Sequence, residues 1–189
     1  MEKIALIIIT GLPVTGKTTL GKRLADELDL PFVCKDEIKE LLFDGFGWED
    51  REWSKKIGGA SYDVLYYIAE SILRAGKSLI IETNFNPKFA NQKLLELQEK
   101  YHFTPVQIRC FADGEVLFER FKARAESTDR HPGHIDGENL DEWRPILLQG
   151  KIEALHVGGE ALDVDTTDFD KMDYERIVRV IKSAINIKE

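Results

Sequence analysis

One eight-residue segment constrains this chain more than any other: Gly11-Leu-Pro-Val-Thr-Gly16-Lys17-Thr18. Its spacing, G-x-x-x-x-G-K-[ST], is that of a phosphate-binding loop. The two glycines let the backbone turn so that successive amide groups face phosphate oxygens. Gly11, Pro13, Val14, Thr15, Gly16, Lys17, Thr18 and Thr19 are therefore the expected nucleotide-binding positions. Lys17 is placed to reach the β- and γ-phosphates, and the Thr18 hydroxyl to ligate Mg²⁺. Such a loop works only between a buried strand and a helix whose positive end meets the phosphate. The β-branched run "KIALIIIT" precedes it, and Leu20, Leu24 and Leu28 follow on one helical face.

The rest of the chain repeats that strand–helix alternation. "PFVCKD", "SLIIET", "TPVQIRCF" and "EALDVD" read as further short strands. Helical patterns run over "DEIKELLF", Tyr62 to Arg74, Phe89 to Tyr101, "GEVLFERFKARAE", Trp143 to Val157 and Asp173 to Asn186. Gly45 to Gly59 reads as irregular and aromatic, and Ser127 to Asp141 as a polar loop. Alternation of this kind predicts an α/β fold, a parallel sheet with helices on both faces. Ligands in such sheets gather at the carboxyl ends of the strands.

At 189 residues the chain is expected to form one domain, 1–189. The net charge is −8, which disfavours long nucleic acid or an anionic membrane as a partner. Cys34 and Cys110 lie in apolar runs and read as buried free thiols of a reducing compartment. The N-terminal apolar run is about one strand long and leads directly into the phosphate loop, so it is not read as a signal peptide. A cytoplasmic location is expected.

A nucleotide site leaves several machines open. A guanine-reading Asn-Lys-x-Asp segment is missing, and the strand "SLIIET" ends in Glu82 alone rather than a paired Asp-Glu. In order along the chain, the phosphate loop, "CKDEIKE", "LIIETNF", "ERFKAR" with "DRHPGH", and "LDVDTTDFDKMDYERIV" resemble small P-loop kinases. The resemblance is to ATP-binding kinases related to polynucleotide kinase, zeta toxin and chloramphenicol phosphotransferase. It implies a three-layer P-loop fold with a five-stranded parallel sheet, and a lid at about 125–143. It also implies ATP with Mg²⁺ and a hydroxyl-bearing acceptor that differs from member to member.

The candidate residues follow from position. Asp36 stands just past a strand, in the first turn of the next helix. It serves either as the carboxylate that orients and deprotonates an acceptor hydroxyl or as a helix N-cap. Glu82 serves as holder of Mg²⁺ or its water, or as an ion-pair partner of a lysine. Arg120 and Arg124 share a helix face, a like-charge pair that a bound nucleotide offsets. The resemblance assigns them to adenine and phosphates; the other reading is a solvated face paired with Glu115 and Glu119. Arg130 is a candidate to close on the γ-phosphate. His131 and His134 read as lid-tip or acceptor contacts rather than metal ligands. The resemblance implies that Trp48 and Trp53 are acceptor-site candidates and that "DTTDF" stands beside the adenine, while Tyr62 to Tyr67 are read as core. The rival function is a nucleotide-binding switch or regulatory ATPase, which has no use for Asp36.

Overall fold

The protein is described by a computed structural model covering residues 3–127, 130–135 and 140–185. Strand β1 (Ala5–Gly11) is buried at every position. Ala5, Ile7 and Ile9 pack on one face against Leu20 and Leu24 of α1 (Lys17–Leu28) and Ile177 and Ile181 of α7 (Tyr174–Ile185). Leu6 and Ile8 pack on the other face against Leu65 and Leu73 of α3 (Arg51–Arg74) and Leu94 of α4 (Pro87–Tyr101). A strand buried on both faces has no polar side to alternate, hence its continuous apolar run.

The sheet has five parallel strands in the order β2-β3-β1-β4-β5, with β2 Phe32–Cys34, β3 Leu79–Glu82, β4 Thr104–Phe111 and β5 Glu160–Asp165. The expected α/β fold with helices on both faces is thus present. Because β1 lies between β3 and β4, the chain leaves it toward β2 and later crosses to the opposite side. A crevice opens at that reversal point. Register does the rest: Glu82 pairs with Ile9 on one side and Cys34 on the other, and Gly11 pairs with Cys110. The phosphate loop, the end of β3 and the start of α2 (Lys35–Phe46) therefore share one edge.

Two local expectations need correction. The stretch Gly45 to Gly59 is mostly helical: α2 runs to Phe46 and α3 begins at Arg51. Asp50 caps α3 by accepting a hydrogen bond from the Trp53 amide at 2.8 Å. Gly58 and Gly59 both fall inside α3, Gly58 beside the Lys39 side chain, so neither breaks the helix. The helix expected over Trp143 to Val157 is α6, Leu140–Leu147. Gly150, at φ +70, ends the turn, donates to Leu147 O and accepts from the Ala112 amide. From 151 to 158 the chain carries no regular structure, and Leu155 and Val157 bury at period two. Helix α5 is Gly114–Glu126; Phe121 and Leu117 join Leu12 and Leu147 in a third cluster. Parts of the expected polar loop, at 128–129 and 136–139, and the end of the last helix at Asn186 lie outside the described residues. Among the described residues no helix is long and apolar enough to cross a membrane.

Leu24 is fully buried between α1 and the sheet. Leu24→Ala is expected to cost about 2–5 kcal/mol in urea unfolding, with the melting midpoint down by roughly 5–15 °C. A change near zero would mean that α1 does not seat on this face.

Candidate active site

The phosphate loop is braced by its own side chains and backbone. Gly16 sits at φ +76 and Val14 at φ +59. A β-branched residue in the left-handed region is strained, and such strain gathers where backbone amides must converge. The Thr15 hydroxyl donates to Leu12 O at 2.9 Å, and Lys17 Nζ donates to the same carbonyl at 2.8 Å. A side chain at Gly11 would collide with the Cys110 carbonyl. At Gly16 a Cβ would come within 2.8 Å of the Phe169 ring.

Glu82 is buried beneath this loop. Its Oε2 accepts from the Thr18 hydroxyl at 2.9 Å and from the Cys34 thiol at 3.0 Å, and its Oε1 lies 3.9 Å from Lys17 Nζ. Burial, and then the Glu82 charge, push the Cys34 thiol far above its ordinary range, so it acts as a neutral donor. Burial likewise pushes Cys110 up to about 12. Neither thiol is a nucleophile.

Asp36 lies inside α2, and the N-cap position falls at Cys34 with no side-chain capping bond. The N-cap role for Asp36 is therefore absent. Its carboxylate meets Lys35 Nζ at 3.0 Å and Arg130 at 3.4 Å. Burial pushes this carboxyl up, but Lys35, Arg130 and His134 together outweigh it and hold it well below the carboxylate range. It is charged at any working pH and suited to orient a hydroxyl.

The segment 130–135 docks on α2. Arg130 also reaches Glu40 at 3.3 Å, His134 Nε2 lies 2.8 Å from Glu40, and His131 Nε2 lies 3.3 Å from Asp44. The His131 ring stacks on Phe43 and meets Trp48 edge-on. Gly133 leaves room for Phe43, whose ring a Cβ there would approach to 2.6 Å. His131 and His134 thus sit in the segment docked on α2, and His134 also lines the main cavity.

Arg120 donates to the Thr166 and Thr167 carbonyls at 3.0 and 2.9 Å, fixing the stretch after β5. It does not pair with Glu115 or Glu119; Glu119 is paired with Lys122. Arg124 lies over the Phe121 ring and faces the main cavity.

That cavity, about 460 Å³, gathers Pro13, Val14, Gly16, Lys17, Thr18 and Thr19 of the loop. It also gathers Asp36, Glu82, Arg124 and Arg130. Gly11, Thr15 and Arg120 support its wall without lining it. Trp48 and Trp53 do not line it; Trp143 and Phe121 do. Tyr62 and Tyr66 pack on the core as expected, but Tyr67 is 72% exposed. Sequence reasoning missed Lys35, Lys39, Arg51 and Trp143. The spacing of Lys35 and Lys39 about Asp36 was the available signal, since residues three and four apart share a helix face.

The donors at Thr18 and Glu82 are hard oxygens at a helix N-terminus, which suits Mg²⁺ completed by phosphate and water. Among the described residues no three His, Cys, Asp or Glu cluster as an all-protein metal site.

Comparison with known proteins agrees with this geometry. The family model "AAA domain", a P-loop kinase family, matches residues 6–145. A protein of Thermococcus onnurineus named "Putative adenylate kinase" is 25% identical over 181 residues, 94% of this chain and 84% of its own length. One of the same name from Pyrococcus abyssi is 28% identical over 184 residues, 95% of this chain and 86% of its own. The crystal structure of a "putative kinase" from Chloroflexus aurantiacus superposes with a TM-score of 0.87 at 42% identity, covering 97% of this chain and 99% of that one.

Burial lowers the His134 imidazole; the bond to Glu40 opposes this and Arg130 reinforces it, with a net lowering. The unfolded chain therefore binds more protons than the folded one just below the ordinary value of about 6.5. Stability carried by the neutral ring is present above that value and lost as pH falls below it. His134→Gln is expected to flatten this part of a stability–pH curve measured by urea unfolding. An unchanged slope would contradict the burial of a neutral ring.

Proposed function

The chain belongs to the AAA-domain family, and on that footing we propose that it is an ATP- and Mg²⁺-dependent phosphotransferase that moves the γ-phosphate to a hydroxyl of a small molecule or a nucleic-acid 5′ end. The observation that carries this reading is one cavity lined by Lys17 and Thr18 of the phosphate loop, by Glu82, and by Asp36. A switch protein needs the first three and has no use for the fourth. The motifs around Asp36, Glu82 and Arg120 support the group related to polynucleotide kinase, zeta toxin and chloramphenicol phosphotransferase. The acidic net charge of −8 favours a small acceptor within that group.

Each residue has a distinct task. The loop amides and Lys17 cradle the β- and γ-phosphates. Thr18 and Glu82 hold Mg²⁺ directly or through water; the ion neutralises phosphate charge when bound. Lys17 exchanges its bond to Leu12 O for phosphate oxygens, so its position is set in advance. Asp36 orients the acceptor hydroxyl in line with the γ-phosphate; held a weak base by its cationic neighbours, it receives the proton late, once the new P–O bond has made that oxygen strongly acidic. Arg124 and Arg130 bring positive charge to the transferring group, while Arg120 holds the wall after β5 beside the base. The segment at about 125–143 acts as the lid, within one domain spanning 1–189. Two buried free thiols, Cys34 and Cys110, fit a cytoplasmic setting.

Transfer of this kind depends on positioning and charge more than on covalent help. Asp36→Asn is expected to lower transfer from ATP by about 10²-fold or more. Nucleotide affinity, read by displacement of a fluorescent ATP analogue, should stay within about twofold of wild type. Lys17→Ala is expected to lose both. Equal turnover in wild type and Asp36→Asn would overturn the assignment of Asp36.

A further inference from the structure

The cavity carries more positive charge than a nucleotide site requires. Six cationic side chains line it: Lys17, Lys35, Lys39, Arg51, Arg124 and Arg130. Only Asp36 and Glu82 oppose them from the lining, in a chain that is acidic as a whole. Lys17 and Arg124 belong with the nucleotide under the reading above, and Lys35 and Arg130 already pair with Asp36. Lys39 and Arg51 remain.

Lys39 is the anomaly. It is 7% exposed, and its Nζ bonds the Ser54 hydroxyl at 2.9 Å. No carboxylate lies within ion-pair distance of it among the described residues. A buried ammonium is costly unless paired and hydrogen-bonded. Burial lowers it to about 8, Lys35, Arg130 and Arg51 push the same way, and Asp36 only partly opposes them. Gly58 of α3 lies beside its side chain, with room that a larger residue would take. Arg51 opens α3 on the same wall, and its guanidinium bonds Glu142 of α6 at 2.8 Å.

Position separates these two from the phosphate loop. Lys39 stands one helical turn beyond Asp36 on the same face of α2, against α3. We propose that the acceptor carries a compact oxyanion, a carboxylate or phosphate, which seats on Lys39 and Arg51 between α2 and α3 and so sets the reacting group at Asp36. This rests on the phosphotransferase reading and narrows its substrate class to anionic acceptors. The anion supplies Lys39 Nζ with the opposite charge that the Ser54 hydroxyl does not give. That hydroxyl keeps the ammonium in place.

The test fills the nucleotide site first, with Mg²⁺ and a non-hydrolysable ATP analogue, so that the phosphate loop cannot take the probe. Amidination of Lys39 by methyl acetimidate, whose leaving group is neutral methanol, is then followed by peptide mass spectrometry. The probes are inorganic phosphate, acetate and, as the neutral counterpart of acetate, acetamide. Phosphate or acetate is expected to protect Lys39 saturably, with acetamide and the analogue alone leaving its reactivity within about twofold. Which anion protects better distinguishes phosphate from carboxylate. In Lys39→Met, whose apolar stem keeps the packing, calorimetric affinity for the protecting anion should fall about 10- to 100-fold while analogue affinity holds. Protection by acetamide equal to acetate, full protection by the analogue alone, or protection by neither anion would overturn the oxyanion site. Asp36-dependent transfer from ATP in the same preparation reports separately on the phosphotransferase, so either reading can fail while the other stands.

Discussion

Everything at the site depends on the pairing of β1 with β3 and of β3 with β2. Glu82 is held between Ile9 and Cys34 by register, not by its own side chain. That fixes its carboxylate beneath the helix that begins at Lys17, where the Thr18 hydroxyl and the Cys34 thiol both donate to it. A slip of one residue along β3 would turn Glu82 to the other face of the sheet and leave those donors without an acceptor. The fully buried β1, packed by apolar helices on both faces, makes such a slip costly. The apolar run that builds the core therefore also aims the polar chemistry.

The second constraint is electrostatic. The cavity concentrates cations that would repel one another if left alone. Asp36, flanked by Lys35 and Arg130, is the carboxylate that lets them gather. Glu40 extends the arrangement outward, holding Arg130 and His134 and so tying the segment 130–135 to α2. Helix α2 thus offers Asp36 to the reaction, Lys39 to the cavity wall and Glu40 to the docked tip, all within two turns.

How much of this was legible in the sequence depended on how local each determinant is. The phosphate loop was readable in full, because its glycines, lysine and threonine act within one turn of chain. Asp36 and Glu82 were readable as strand-end carboxylates, because the apolar runs before them end cleanly. Lys39, Arg51 and Trp143 were not, since their roles arise from α3 packing on α2 and from α6 folding back. Gly45 to Gly59 read as irregular, yet Gly58 and Gly59 fall inside α3, whose start is set by the Asp50 cap. Leu155 and Val157 misled in the opposite sense. Their apolar positions suit a helix continuing from Trp143, and Gly150 at positive φ decides for an extended chain. Trp48 and Trp53 were drawn to the acceptor by their setting, yet one meets His131 and the other bonds Gly47 O through its indole N–H.

The central claim is that the γ-phosphate leaves ATP for an acceptor held at Asp36, and its most direct test follows where that phosphorus goes. Phosphorus-31 NMR of ATP, Mg²⁺ and a pool of small phosphate- and carboxylate-bearing alcohols would resolve a new phosphoester from inorganic phosphate. The account predicts a phosphoester resonance that grows with the loss of ATP and is absent with Asp36→Asn. Inorganic phosphate alone, released at the same rate by both proteins, would contradict it.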